Sequence, residues 1–288
     1  MTGGTPLLEQ IGAFAAQHGV TLPVVSPVAT GLMAAVQSES VQPADVETLV
    51  QSDQVLAAEV LRAANSAFYG GLSPVTTVKG AIFRVGLVQV ARLVMLATER
   101  NRYQAHQPGL RAIMARLWTH ATACAQASEW LARRLGHRGV EQEAFVGGLM
   151  HDIGKLYLVR VLDEMVARSE EPLETPEPFI LELLDVAHTT QGYQLVQGWS
   201  IPEVYGVIVR DHHAPDPDPT DVALLLVRLA NRACHKAGLG LTADPTLLLS
   251  VLPEAAMLLT GEVLLAELEV LLEDTAADLA ARGTHQAA

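Results

Sequence analysis

Polar and apolar positions repeat with a helical period along most of this chain. Leu110, Ile113, Met114, Leu117, Ala121, Cys124 and Leu131 fall three, four or seven apart, one stripe of a long amphipathic helix that Gly136 ends. Leu56, Ala57, Val60, Leu61 and Ala64 form a shorter stripe, with Asp53 placed to cap it and Gly70 and Gly71 to stop the chain beyond it. Ala81, Ile82, Val85, Val88, Leu93 and Leu96 follow Thr77 as another, with Gly86 as a break or close-contact point. Earlier helices are predicted around Leu7 to Gln17, from Ala29 to Val36 after Pro27, and after Pro43 with Val46, Leu49 and Val50 inward. Later ones are predicted over 141–150, 156–168, 179–197, 202–213, 221–237 and 246–282. Loops are expected at 214–219 and around Pro172, Pro176 and Pro178. The chain shows no convincing strand alternation and no internal repeat.

Composition strengthens the helical reading. Half of the residues are hydrophobic but only 5% are aromatic, and the apolar set is mostly Leu, Val and Ala. Leu and Ala favour helix, so the expected class is all-α. With 288 residues the chain is long enough for one large domain or two small ones. A net charge of −13 with no basic stripe disfavours direct nucleic-acid binding and an anionic membrane surface. The start lacks the basic-then-apolar layout of a signal peptide. The most apolar C-terminal run, Val263 to Leu272, is interrupted by Glu267 and Glu269. The expectation is a cytoplasmic protein. Cys124 and Cys234 lie in apolar helical patterns and read as small buried residues. Trp118, Trp130 and Trp199 read as core or helix-packing residues.

The chemistry sits in the histidines. Of ten, His120, His151, His188, His212 and His213 fall in otherwise apolar helical patterns, with Asp152 beside His151 and Gly192 one turn after His188. A buried imidazole needs partners for its nitrogens. One such residue is ordinarily satisfied by hydrogen bonds within the core. Five imidazoles and a carboxylate on several helices also fit a metal site in a helical bundle, with Fe, Mn, Zn or Ni as the suited ions. Spacing alone leaves both readings open.

These residues carry a family resemblance. His151-Asp152-Ile153-Gly154-Lys155 resembles the H-D-x-G-K core of the HD superfamily, and His120, in Trp118-Thr119-His120, resembles its preceding histidine. The stretch Ala64 to Gly70, followed by Pro74-Val75-Thr76 and Ala81-Ile82, resembles the N-terminal signature of HDOD proteins. The resemblance covers roughly residues 20–240. With Gln107-Pro108-Gly109 as a turn and subdomain boundary, the chain reads as a leader and short helix over 1–21, an N-terminal HDOD helical subdomain over 22–106, an HD-like helical bundle over 107–240 and C-terminal helices over 241–288.

The resemblance also implies a ligand set. His120, His151 and Asp152 match metal ligands of catalytic HD proteins, and the later Asp of that pattern falls at Asn231, which offers only a neutral carbonyl oxygen. His188, His212 and His213 match the further ligands of the two-metal HD-GYP relatives, which are cyclic di-GMP phosphodiesterases. Asp152 would then bridge two ions, with Lys155 near a bound phosphate. The relatives' Gly-Tyr-Pro segment is replaced by Ala214-Pro215-Asp216-Pro217.

HDOD proteins act as outputs or scaffolds in bacterial signalling, many with lost HD ligands. The first functional expectation is therefore a signal-transduction or regulatory module. It would carry a degenerate, metal-binding site with one or two ions, signalling proteins as partners and a small phosphate-containing ligand in reach. The rival is a metal-dependent phosphohydrolase, a phosphodiesterase acting on a nucleotide or cyclic dinucleotide, with Asp152 and Lys155 catalytic. The third is a homodimer formed through an exposed apolar stripe of the C-terminal helix. Asn65, Ser66 and Tyr69 read either as a partner surface or as a helix stop held by local hydrogen bonds.

Overall fold

A computed structural model describes residues 7–22, 42–52, 54–66, 69, 73–169, 176–199 and 201–284. Among them the chain is all helix and turn, with no strand. It divides into two compact units, Pro23–Arg102 and Met1–Leu22 with Tyr103–Ala288. The expected helix over Ala29 to Val36, the Asp53 cap and the Gly70-Gly71 stop lie outside the described residues.

α1 (Leu7–His18) belongs to the larger unit; the smaller unit holds α2 (Pro43–Gln51), α3 (Gln54–Ala64), α4 (Val78–Val85) and α5 (Leu87–Arg100). Pro43 opens α2 where a missing N–H costs nothing, and Gln42 and Asp45 complete a reciprocal cap. Thr77 caps α4 by accepting from the Gly80 N–H at 3.0 Å. Gly86, at φ +86°, takes the left-handed backbone that turns α4 into α5 through 116°. The core is aliphatic: Val46, Val50, Val60, Ile82, Val90 and Met95 are buried.

The stop after α3 has a specific cause. The Asn65 side chain donates to Leu61 O at 2.9 Å and Val75 O at 2.8 Å, and accepts from the Val75 N–H at 2.7 Å. It closes the helix end and pins the segment ten residues on. Arg84 reaches Ser73 O at 2.5 Å, and the Tyr69 hydroxyl bonds Gln89.

The larger unit is built on α6 (Pro108–Arg134), α7 (Glu141–Met150), α8 (Ile153–Arg168), α9 (Glu177–Gln197), α10 (Glu203–Asp211) and α11 (Val222–Lys236). The C-terminal region is not the single helix expected over 246–282. It is a 3₁₀ turn at Leu249–Val251, then α12 (Pro253–Met257) and α13 (Glu262–Thr284). Pro253 holds Leu252 extended, and Leu259 at φ +53° followed by Gly261 ends α12.

The apolar stripe of α6 packs on α7 and α11, α8 on α9, and α10 on α7 and α9. Leu131, Ile208, Leu224, Leu226, Leu268 and Leu272 are among the fully buried members of this core. Cys124 and Cys234 are free thiols buried within it. Trp199 is buried, Trp130 packs against the core and Trp118 meets the Tyr103 ring at 5.2 Å. On α13, Val263 and Val270 are exposed.

Two buried polar ties fix the ends of the site-bearing helices. Asp163 of α8 accepts from the N–H groups of His106 and Gln107 at 2.9 to 3.1 Å, anchoring the start of α6. Arg228 of α11 pairs with Glu254 at 2.6 Å and donates to Asp211 O at 2.9 Å, one residue before His212. Among the described residues no single helix is long and apolar enough to cross a membrane.

Candidate metal centre

The local sequence breaks where the site needs ligands. α7 ends at Met150 and α8 begins at Ile153, so His151 and Asp152 sit in the junction with both side chains buried. Gly154, next along, lets α8 touch α9. A Cβ there would lie 1.9 Å from His188 O and 2.8 Å from Gly192 N. Backbone contact this close requires glycine, and it carries His188 up to Asp152.

His120 comes from the inner face of α6, His188 from α9, and His212 and His213 from the end of α10. His120, His151, His188 and His212 are each at most 3% exposed, whereas His213 is exposed at its outer side. Around Asp152 the rings form two groups. Asp152 Oδ2 lies 3.6 Å from His120 Nε2 and 3.5 Å from His151 Nε2. Oδ1 lies 3.4 Å from His188 Nε2 and 3.5 Å from His212 Nε2. A His213 ring nitrogen joins the second group, all ligand atoms lying within 4.8 Å of one another. Lys155 Nζ donates to Oδ2 at 2.9 Å.

The outer nitrogens settle the tautomers. Nδ1 of His120 faces Leu239 O at 2.8 Å, that of His151 Gly148 O at 2.8 Å, that of His188 Leu184 O at 2.8 Å, and that of His212 Ile208 O at 3.1 Å. A carbonyl only accepts, so each Nδ1 carries the proton. Each Nε2 of a neutral ring then presents its lone pair to the centre. Backbone carbonyls that hold ligating imidazoles in this way are the usual second layer of metal sites.

The donor set fits a divalent transition ion. His188 Nε2 and His212 Nε2 stand 3.2 Å apart, two lone pairs face to face, and Asp152 Oδ1 is buried without a hydrogen-bond partner. Burial pushes the pKa of His212 down to about 4 and also lowers that of His188, keeping both rings neutral. Burial lowers His213 as well, with His212 and His188 adding to it. A cation between these atoms resolves the repulsion and satisfies the orphaned oxygen. Neutral imidazole with one carboxylate suits Zn, Fe, Mn or Ni.

The other side differs. Burial, with His151 adding to it, pushes His120 down to about 3. Burial opposes charge on His151 too, but the Asp152 carboxylate overrides it and raises that ring to about 9. His120 Nε2 and His151 Nε2 stand 3.1 Å apart. Burial would raise the Asp152 carboxyl, but Lys155 and the surrounding rings outweigh it and hold it well below the usual carboxylate range.

Asn231 of α11 is 2% exposed, and its Oδ1 has no hydrogen-bond partner. One turn on along the same face stands His235, whose ring lies 5.3 Å from that of His120 and whose Nδ1 meets Thr242 Oγ1 at 2.7 Å. Sequence reasoning did not single out His235. The signal available was its i,i+4 relation to Asn231. His106 serves Asp163 instead, bonding it through Nδ1 at 2.8 Å.

A cavity of about 20 Å³ opens beside the centre, lined by His120, Asp152, Lys155, Asp185, His235 and Thr242 among others. A water needs roughly 10–15 Å³ by this measure, so the space suits one water-sized ligand. Leu241 and Thr242 form part of its wall, in the segment Leu239 to Thr242. Arg116, one turn before His120, ties that segment down at Gly240 O (3.2 Å) and Leu241 O (2.5 Å).

Comparison with known proteins gives a consistent picture. The HDOD domain model matches residues 22–215. A solved HDOD domain protein of unknown function from Geobacter sulfurreducens superposes with a TM-score of 0.73 at 21% identity, covering 94% of this chain and 98% of that one. A Shewanella amazonensis SB2B structure, provisionally assigned as a metal-dependent phosphohydrolase, superposes with a TM-score of 0.67 at 16% identity, covering 93% and 97%. At these identities the likeness shows the fold. An uncharacterized protein of Treponema pallidum (strain Nichols) is 25% identical over 208 residues, 68% of this chain, and this chain spans only 38% of its length.

Proposed function

Because the chain belongs to the HDOD domain family, we propose that it is a non-hydrolytic regulatory module of bacterial signalling whose histidine centre holds a divalent ion. The observation that carries this reading is the convergence of five imidazoles on one buried carboxylate beside a cavity of only about 20 Å³. The residues that would hold metal are His188, His212, His213 and Asp152 on one side, and His120, His151 and Asp152 on the other. A bound ion supplies a fixed positive charge that ties the helices together, and Lewis acidity toward an oxygen ligand. The chain's own residues do the rest. Backbone carbonyls hold the rings of His120, His151, His188 and His212, Lys155 holds Asp152, and Arg116 ties down Gly240 and Leu241 beside the cavity. The partners proposed are proteins rather than nucleic acid, on the strength of the acidic net charge.

The second reading is a phosphohydrolase. The observation favouring it is Lys155, a cation beside the centre and at the edge of the cavity, placed to contact a phosphate. The two readings separate on one experiment. Chain purified without chelator is assayed against cyclic di-GMP and a generic phosphodiester, in parallel with the His151→Ala, Asp152→Ala double variant. The regulatory reading expects equal, background rates from both. Turnover that the double variant lacks would move the assignment to hydrolase.

A further inference from the structure

The two oxygens of Asp152 are not equivalent, and this bears on how many ions the centre holds, given the proposed reading of it as an ion centre. Oδ2 already receives a charge-assisted hydrogen bond from Lys155 at 2.9 Å, whereas Oδ1 is buried and unpartnered. Three imidazoles, those of His188, His212 and His213, gather with Asp152, with His188 and His212 against Oδ1, whereas two, those of His120 and His151, lie against Oδ2. Asn231, where the family pattern has a carboxylate, offers only a neutral oxygen. Asp152 is the carboxylate that both groups share. With two ions bound it would have to offset two dications and the Lys155 ammonium at once, inside a buried space where like charges are poorly screened.

We infer that the chain holds one divalent ion firmly, between Asp152 Oδ1 and the imidazoles of His188, His212 and His213, and that Lys155 takes the place of a second firmly held ion on the Oδ2 side.

The test is equilibrium dialysis of the full chain, stripped by chelator, against Zn²⁺ alone, with metal analysis of the retained fraction. One Zn²⁺ per chain is expected at low free ion, with any second at least about 100-fold weaker, beyond the range for losing one supporting partner. His188→Gln and His212→Gln should each weaken the firm ion by about 100-fold, whereas His120→Gln should leave it within about threefold, short of even that supporting-partner range. Asn231→Asp combined with Lys155→Met should strengthen the second ion by about 100-fold, on the same scale. Circular dichroism checks each variant's fold, and the wild-type stoichiometry requires no variant. Two ions of equal affinity in the wild type would overturn the inference. So would a firm ion lost in His120→Gln but retained in His212→Gln. Folded wild-type protein that binds no Zn²⁺ would overturn the ion-centre reading itself, a different failure.

Discussion

Replacing Gly154 by alanine tests the contact that brings His188 to Asp152. The added methyl would stand 1.9 Å from His188 O, where ordinary contact begins at 3.4 Å, a deficit of 1.5 Å. The atoms it meets are backbone on both sides, His188 O and Gly192 N, so no side chain can rotate away. The relief is separation of α8 from α9 by an ångström or more. Overpacking of a core costs about 1–3 kcal/mol, and a backbone clash belongs at the upper end. The same separation withdraws His188 Nε2 from its 3.4 Å approach to Asp152 Oδ1. Ion affinity should fall by about 10–100-fold, the effect of disturbing a ligand's support. The assays are urea denaturation and Zn²⁺ binding, with Gly109→Ala as control. Gly109 lies in the first turn of α6 with nothing within 4 Å of an added Cβ. That control should be neutral or stabilising by up to about 1 kcal/mol. A Gly154→Ala protein as stable as the wild type, with unchanged ion binding, would refute the argument that backbone contact positions His188.

Other expectations follow from single contacts. Arg228→Met should destabilise by about 3–5 kcal/mol, because it strands the buried Glu254 carboxylate; a urea melt checks this, and Glu254→Leu added to it should restore part of the loss. Asn65→Ala removes four hydrogen bonds and should cost about 2–3 kcal/mol, read as faster amide exchange at Val75 and in the last turn of α3. Asp163 supplies a pH signature. Burial raises its pKa, but the N–H groups of His106 and Gln107 and the His106 ring outweigh it, and the net shift is downward. A depressed carboxylate stabilises the fold above its unfolded pKa of about 3.9, and that contribution is lost as pH falls through the lower folded value. Asp163→Asn should therefore flatten the loss of stability measured by denaturant melts as pH drops below about 4.

Much of this was legible in the sequence, for identifiable reasons. Helix positions follow from stripes such as Leu110 to Leu131 and from punctuation such as Thr77, Gly86 and Pro108. The histidines stand out because each interrupts an apolar face. Their convergence was not legible from spacing, because it depends on contacts between distant segments. Gly154 against Gly192 sets the approach of α8 and α9, and Leu239 O reaches His120 across 119 residues. His235 was missed because its role appears only once α11 is seen to lie beside His120. Asn65 pointed to a helix stop or a surface, and the structure spends its amide on the stop, through a partner ten residues away. The single helix expected over 246–282 is divided because Pro253 ends the segment before it and the turn after Met257 separates α12 from α13, breaks that the periodicity of Val263 to Leu272 does not report.

X-ray absorption of the protein carrying one equivalent of Zn²⁺ tests the centre most directly. The structure predicts a first shell dominated by imidazole nitrogen at about 2.0–2.1 Å, with the outer-ring scattering of several histidines and one carboxylate oxygen. A shell of water oxygens with little imidazole scattering would mean that these rings, close as they lie, do not act as a metal site.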